Sequence, residues 1–275
     1  MTEKYDASVS AAMRERIKET LTQIEKTHRV KVLYACESGS RGWGFASPDS
    51  DYDVRFIYVH QPDWYLALDR KRDVIEKPID DELDVAGWEL SKALRLLRNS
   101  NPALIEWLSS PVVYYQDDAF TEEMKALAEQ FYSVRKARYH YLSMAKRNTQ
   151  EHLLAEQVRL KKYFYVLRPV MALRWIAAGK GLPPMAFDEL VAGTITDADV
   201  LAEIEELLIL KKSSGESYYG TRRPAVDRLI QDVLNEADRP LPEVPYYHDS
   251  RLLDRFLMKT VTAYTDSSYK KHARA

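Results

Sequence analysis

The stretch Glu37 to Arg55 reads E-S-G-S-R-G-W-G-F-A-S-P-D-S-D-Y-D-V-R, and it holds three of the chain's nine glycines together with a D-x-D pair. An apolar run precedes it, Val30 to Cys36 (V-K-V-L-Y-A-C), and an aromatic, β-branched run follows, Tyr52 to Val59 (Y-D-V-R-F-I-Y-V). Both runs suit a pleated, buried surface and predict strands. Between them the glycines allow backbone conformations that a Cβ forbids. The expected local structure is a strand, a tight turn able to cradle a phosphate, and a second strand.

Side chains alternate along a strand, so Asp51 and Asp53 share one face while Tyr52 and Val54 share the other. Two carboxylates on one face repel, and a divalent cation between them relieves the repulsion. Magnesium, a hard ion, takes such oxygen ligands together with substrate phosphates. Other motifs on the same residues fail. An EF-hand loop starting at Asp49 puts Val54 where glycine is needed and His60 where glutamate is needed. The glycines read G-x-x-G-x-G rather than the Rossmann G-x-G-x-x-G, and the G-K-[ST] of a P-loop is missing. On the residues alone, a D-x-D that holds a metal and a sugar-nucleotide diphosphate stays open, as does a plain turn with solvated aspartates.

Gly39-Ser40, ten intervening residues and then Asp51-Tyr52-Asp53 resemble the signature of the DNA-polymerase-β-type nucleotidyltransferases, in which a third aspartate follows on a later strand. The fuller strings G-S-R-G-W-G, S-D-Y-D-V-R and N-P-A-L-I-E-W-L look like one branch, the RNA-repair-pathway polymerase-β family, and the resemblance covers residues 30–115. It implies an α/β (α+β) fold in which a short mixed sheet flanked by helices precedes an all-helical region. The expected division is a catalytic, metal-binding domain at 1–132 and a helical nucleotide- or acceptor-binding domain at 133–275.

The resemblance also implies the chemistry: transfer of a nucleoside monophosphate from a nucleoside triphosphate, ATP among them, to a hydroxyl. Asp51, Asp53 and Asp84 would bind two magnesium ions, for which manganese can substitute. Asp84 lies between Leu83 and Val85 in a short apolar strand. An edge-strand aspartate facing water is the alternative, and the assignment of Asp84 to the site rests on the family's third-carboxylate position. Gly39 and Ser40 would hold the terminal phosphates through main-chain N–H groups and the hydroxyl, with Arg41 adding a forked contact. The family association makes an RNA 3′ end the expected acceptor. A protein hydroxyl, a small molecule, or a protein that senses nucleotide without turnover remain alternatives.

At 275 residues the chain is long enough for two ordinary domains. Its net charge of −2 predicts no bulk attraction to nucleic acid or membrane. The charge is uneven, however: residues 47–90 hold twelve acidic against five basic residues, and residues 133–180 hold eleven basic against two acidic. An acidic metal face is therefore expected to oppose a basic helical face. The single cysteine, Cys36, excludes an intrachain disulfide and fits a reducing compartment, with the cytoplasm as the default. Ending an apolar strand, it reads as a buried, inert thiol. No apolar run is long enough to span a membrane, and six scattered histidines suggest no zinc site.

Apolar periodicity predicts helices over 8–27, 88–99, 101–108 and 121–131, a short helix at 63–68, and strands at 73–79, around Asp84 and at 112–115. Beyond residue 132, helices are expected at 133–149, 151–178, 199–211, 224–237 and 249–265. Within 151–178, Lys161, Tyr165 and Arg168 fall within about 60° of one another at a step of about 100° per residue. That strip is expected either to hold phosphates and stack a base or to be a solvated flank. The resemblance favours the first, since the family places a basic helical domain over the nucleotide. Arg168-Pro169 is expected to bend the helix. The tract 212–224 reads as a surface loop or a lid. Tyr139, Tyr141, Tyr163 and Tyr165 in the basic region offer stacking surfaces to single-stranded RNA.

Overall fold

The computed structural model describes residues 9–78, 82–215, 217–239 and 249–265. In chain order these form α1 (Ala11–His28), β1 (Val30–Ser38), α2 (Gly39–Trp43), β2 (Tyr52–His60), α3 (Pro62–Tyr65), β3 (Val74–Glu76), β4 (Leu83–Glu89), α4 (Leu90–Arg98), α5 (Pro102–Leu108), β5 (Val113–Gln116) and α6 (Asp118–Gln130). There follow α7 (Val134–His152), β6 (Gln157–Arg159), α8 (Leu160–Ala177), α9 (Phe187–Thr194), α10 (Ala198–Ser213), β7 (Tyr219–Thr221), α11 (Pro224–Ala237) and α12 (Arg251–Ala263).

The D-x-D strand, β2, is the middle strand of a five-stranded mixed sheet ordered β3-β4-β2-β1-β5. It pairs antiparallel with β1, from Val30 opposite His60 to Ser38 opposite Asp53, and parallel with β4. Both faces of the sheet are covered, which is why the apolar runs of β1 and β2 are nearly continuous. On one face α1, capped by Ser10, which accepts from the Met13 N–H at 3.2 Å, lays Met13, Ile17, Leu21 and Ile24 against Val32, Val54, Phe56 and Tyr58. On the other, Leu33, Ile57 and Val59 pack with residues of α4, α5, α6 and α12. Asp53 and Arg55 belong to this second face, beyond the reach of those helices.

The helical region has its own core, in which Leu160, Phe164, Leu167 and Met171 of α8 are buried among α7, α9, α10 and α11. Phe45, just after α2, inserts its ring into that core, 4.4 Å from Phe164 and 5.4 Å from Phe187. The turn that carries Gly39 and Ser40 is thereby bolted to the helices.

The expected α/β class holds, with a helical region after the sheet. Three local expectations, the unbroken helix over 151–178, the plain loop at 212–224 and a last helix that stays with the helical region, do not. The continuous helix over 151–178 is interrupted, because Gln157–Arg159 pairs antiparallel with Tyr219–Thr221, and this pairing also makes a strand within the 212–224 tract. Periodicity does not register a ladder between segments about sixty residues apart. The arginines of that tract serve the fold: Arg222 pairs with Asp227 at 2.8 Å and Arg223 with Glu206 at 3.5 Å. Pro169 lies inside α8 without ending it. A proline at that position cannot bond the carbonyl four residues back, and the Tyr165 carbonyl instead accepts from Asn148 Nδ2 at 2.8 Å. Finally, α12 returns to the sheet: Leu253 and Phe256 are buried with Leu33, Ile57 and Phe120, so the last described helix belongs to the core of the first part of the chain.

Candidate active site

The site is built at the end of β1 and the start of β2. The chain leaves β1 at Ser38 and turns through Gly39 at φ 75°, a left-handed conformation that favours glycine. A side chain there is also excluded by space, since a Cβ would stand 2.1 Å from Asp53 Oδ2. The turn can lie this close to the carboxylate only because residue 39 is glycine.

Gly39, Ser40, Trp43, Phe45, Asp51, Asp53, Lys161, Tyr165 and Lys211 line one small cavity of about 40 Å³. The acidic β2 end thus shares this cavity with Lys161 and Tyr165 of α8. Six of the expected site residues are brought together here: Gly39, Ser40, Asp51, Asp53, Lys161 and Tyr165. Asp84 stands directly opposite Asp53 in the parallel β2–β4 ladder.

Two expected residues are placed otherwise. Arg41 Nη2 donates to the Ser50 carbonyl at 2.6 Å, and its guanidinium lies 3.8 Å from the Tyr52 ring centroid, which pins the 44–51 loop to α2. Arg168 is 6% exposed; it donates to Glu106 Oε2 at 3.0 Å and to the Met185 carbonyl at 3.1 Å and lies over the Trp43 ring at 4.3 Å. It joins α8 to α5 and braces the Gly39–Trp43 turn from behind.

Three charged residues were not anticipated. Lys211, on α10, is 2% exposed, and its Nζ donates to Ser47 Oγ at 2.7 Å while lining the cavity. Glu37 is fully buried; it accepts from the Asp53 N–H at 2.9 Å and from the Tyr114 hydroxyl. Burial pushes its carboxyl up to about 8, against the pull of those hydrogen bonds. Arg55 Nη2 donates to Asp53 Oδ1 at 3.1 Å and to Asp84 Oδ2 at 2.7 Å. Asp53 itself is raised to about 6, chiefly by burial and then by Asp84 and Asp51, with Arg55 and Lys161 pulling the other way. Cys36 is buried in β1, and burial pushes its thiol up, which makes it inert.

A divalent ion fits part of this arrangement. Asp51 and Asp53 offer hard oxygen donors on the cavity wall, and the repulsion from Asp84 and Asp51, which adds to burial in raising Asp53, is what a cation relieves. Around Asp84 the place is taken by Arg55. Among the described residues no three His, Cys, Asp or Glu side chains gather as a metal-binding group.

Much of the positive charge of 133–180 is spent locally. Lys136 donates to the Arg98 carbonyl at 3.1 Å, Arg138 to the Glu236 and Arg239 carbonyls at 3.1 and 3.0 Å, and Lys146 pairs with Asp238 at 2.6 Å. Of the four tyrosines, Tyr141 and Tyr163 are buried, while Tyr139 is exposed and Tyr165 lines the cavity. No helix among the described residues is long and apolar enough to cross a membrane.

A family model described as the RNA repair pathway DNA polymerase beta family (RlaP) matches residues 13–259. "Uncharacterized protein YcgL" of Bacillus subtilis (strain 168) is 43% identical over 252 residues, covering 90% of this chain and 96% of that protein. A crystal structure of a nucleotidyltransferase-like protein from Exiguobacterium sibiricum 255-15 overlaps 90% of each chain at 11% identity; its TM-score of 0.32 carries no argument.

Proposed function

The chain belongs to the RNA repair pathway DNA polymerase beta family, and from that membership we propose that it moves a nucleoside monophosphate from a nucleoside triphosphate to a hydroxyl, with RNA as the acceptor. The observation that carries the reading is the opposition of Asp51 and Asp53 to Lys161, Lys211 and Tyr165 around one cavity. Carboxylates on one wall suit a divalent ion, and ammonium groups on the other suit the phosphates that accompany it.

Asp51 and Asp53 hold magnesium, or manganese in its place, and Asp84 is the third carboxylate of the site. Bound there, the ion supplies charge neutralisation at the transferring phosphorus and the departing pyrophosphate. The chain's own groups position and exclude water. Gly39 lets the triphosphate approach the backbone, and the Ser40 hydroxyl, Lys161 and Lys211 hold its oxygens. Tyr165 and Trp43 offer ring faces and edges to the base. Glu37 accepts from the Asp53 main-chain N–H and holds that end of β2 in place. No protein nucleophile is required, since positioning and charge account for phosphoryl-type transfer.

The cavity, about 40 Å³, is far smaller than the roughly 300 Å³ of an ordinary ligand pocket. Tyr139, exposed on α7, provides a stacking surface for a single-stranded acceptor. The single buried thiol suits a reducing compartment, and we take the cytoplasm as the site of action.

Incubation of the full chain with magnesium, each labelled triphosphate in turn and mixed RNA tests the reading. Pyrophosphate release with label on RNA supports it. Label on protein redirects the acceptor, and tight nucleotide binding without pyrophosphate makes the chain a sensor.

A further inference from the structure

Arg55 occupies the space between the second pair of carboxylates. Its Nη2 donates to Asp84 Oδ2 and Asp53 Oδ1 at 2.7 and 3.1 Å, and its Nη1 donates to the Val54 and Asp84 carbonyls, each at 3.1 Å. Its side chain is 18% exposed. Four acceptors drawn from two strands fix the guanidinium, and it cannot swing away without giving up main-chain as well as carboxylate partners.

The backbone explains how it comes to be there. Residues 51, 53 and 55 share one face of β2, and the parallel register sets Asp84 opposite Asp53. Like charges placed opposite one another destabilise a sheet, and a planar guanidinium two residues along the same face is shaped to bind both. The oxygens of Asp53 are divided between two tasks. Oδ1 accepts from Arg55, whereas Oδ2 faces Gly39, on the cavity side with Asp51.

We propose that this chain works with one divalent ion, held by Asp51 and Asp53, and that the Arg55 guanidinium is a built-in cation standing where the expected two-ion arrangement puts the second. Asp84 is then the anchor of Arg55 rather than a ligand. The inference rests on the metal reading of Asp51 and Asp53 given above. Because a guanidinium stays charged at every pH a protein tolerates, the second positive centre is permanent and does not depend on metal concentration.

The test is to titrate Mn²⁺, without nucleotide, into the full chain and its Arg55→Gln, Arg55→Lys and Asp84→Asn variants, reading unbound Mn²⁺ by electron paramagnetic resonance and folding by circular dichroism. The expected result is one ion per chain for the wild type and Arg55→Lys, and two for Arg55→Gln. Asp84→Asn should keep the single ion with affinity within about threefold of wild type, a readout that stands even where Arg55→Gln fails to fold. Two ions on the wild type, one ion on a folded Arg55→Gln, or a tenfold loss of affinity in Asp84→Asn overturns the proposal while leaving the metal reading intact. No Mn²⁺ bound to any form overturns both.

Discussion

Asp53 on β2 and Asp84 on β4 are register partners in a parallel ladder, and one nitrogen of Arg55 donates to both. The acids of this site are therefore arranged as a chain, Asp51 to Asp53 to Asp84, with a cation already at one end. The variants with most to teach act along that chain and on the basic wall facing it.

Asp53→Asn should lower transfer by about three orders of magnitude, or about 4 kcal/mol of barrier. The fold should survive, because the change removes a charge that burial already disfavours. Pyrophosphate release at saturating magnesium, beside a thermal melt, measures both. More than a tenth of wild-type turnover removes Asp53 from the mechanism.

Lys161→Ala should weaken nucleotide binding by about 1.5–3 kcal/mol, the worth of a hydrogen bond to a charged group, and make affinity less sensitive to salt. Lys161 lines the cavity without belonging to the buried core, so the melting temperature should move little. Calorimetric titration at two ionic strengths checks the expectation; unchanged affinity places the phosphates elsewhere.

Arg168→Ala should instead destabilise the fold, by about 3 kcal/mol, since it leaves Glu106, whose side chain is only 13% exposed, without its partner. Replacing both, as Arg168→Met with Glu106→Gln, should recover most of that loss. Denaturant melts of the single and double variants decide the matter. Equal loss in both would point to packing rather than charge.

Stability should fall in mild acid through His60. Its ring is stacked on Trp64 at 4.4 Å and sits edge-on to Tyr58. Burial lowers its pKa to about 4, with Lys71 and His28 adding to the effect and Asp63 opposing it. The folded state thus prefers the neutral ring, so the stabilisation is complete above about 6.5 and is lost as pH falls through about 4. Because the ring is part-exposed, the effect should be about 1–2 kcal/mol. His60→Gln should flatten this part of the stability profile, and equal slopes in the two proteins would show that other groups set it.

Much of the site was legible because its parts are close in sequence. Gly39, Ser40, Asp51 and Asp53 sit on one strand-turn-strand, and alternation alone places both acids on one face. Arg55 carried the same signal, two residues further along that face, and a reading of D-x-D as D-x-D-x-R would have found it. Lys161, Tyr165 and Arg168 share an angular strip, but angle ignores rise. Seven residues at 1.5 Å each carry Arg168 about 10 Å along the axis from Lys161, past the cavity and into the contact with Glu106. Lys211 reaches the site from α10 by tertiary packing alone, and the β6–β7 ladder joins segments too far apart for any periodic pattern. The return of α12 to the sheet is invisible for the same reason.

That return sets a condition on synthesis. A ribosome delivers residues 30–60 early, and with them the whole of β1 and β2, yet Leu253 and Phe256 complete the packing over Leu33 and Ile57. Until those late residues emerge, the nascent chain holds an apolar sheet face only partly clothed, the kind of surface that chaperones bind and aggregates grow from. A copy cut short before residue 250 would carry Asp51, Asp53 and Asp84 and still lack the last piece of the wall behind them.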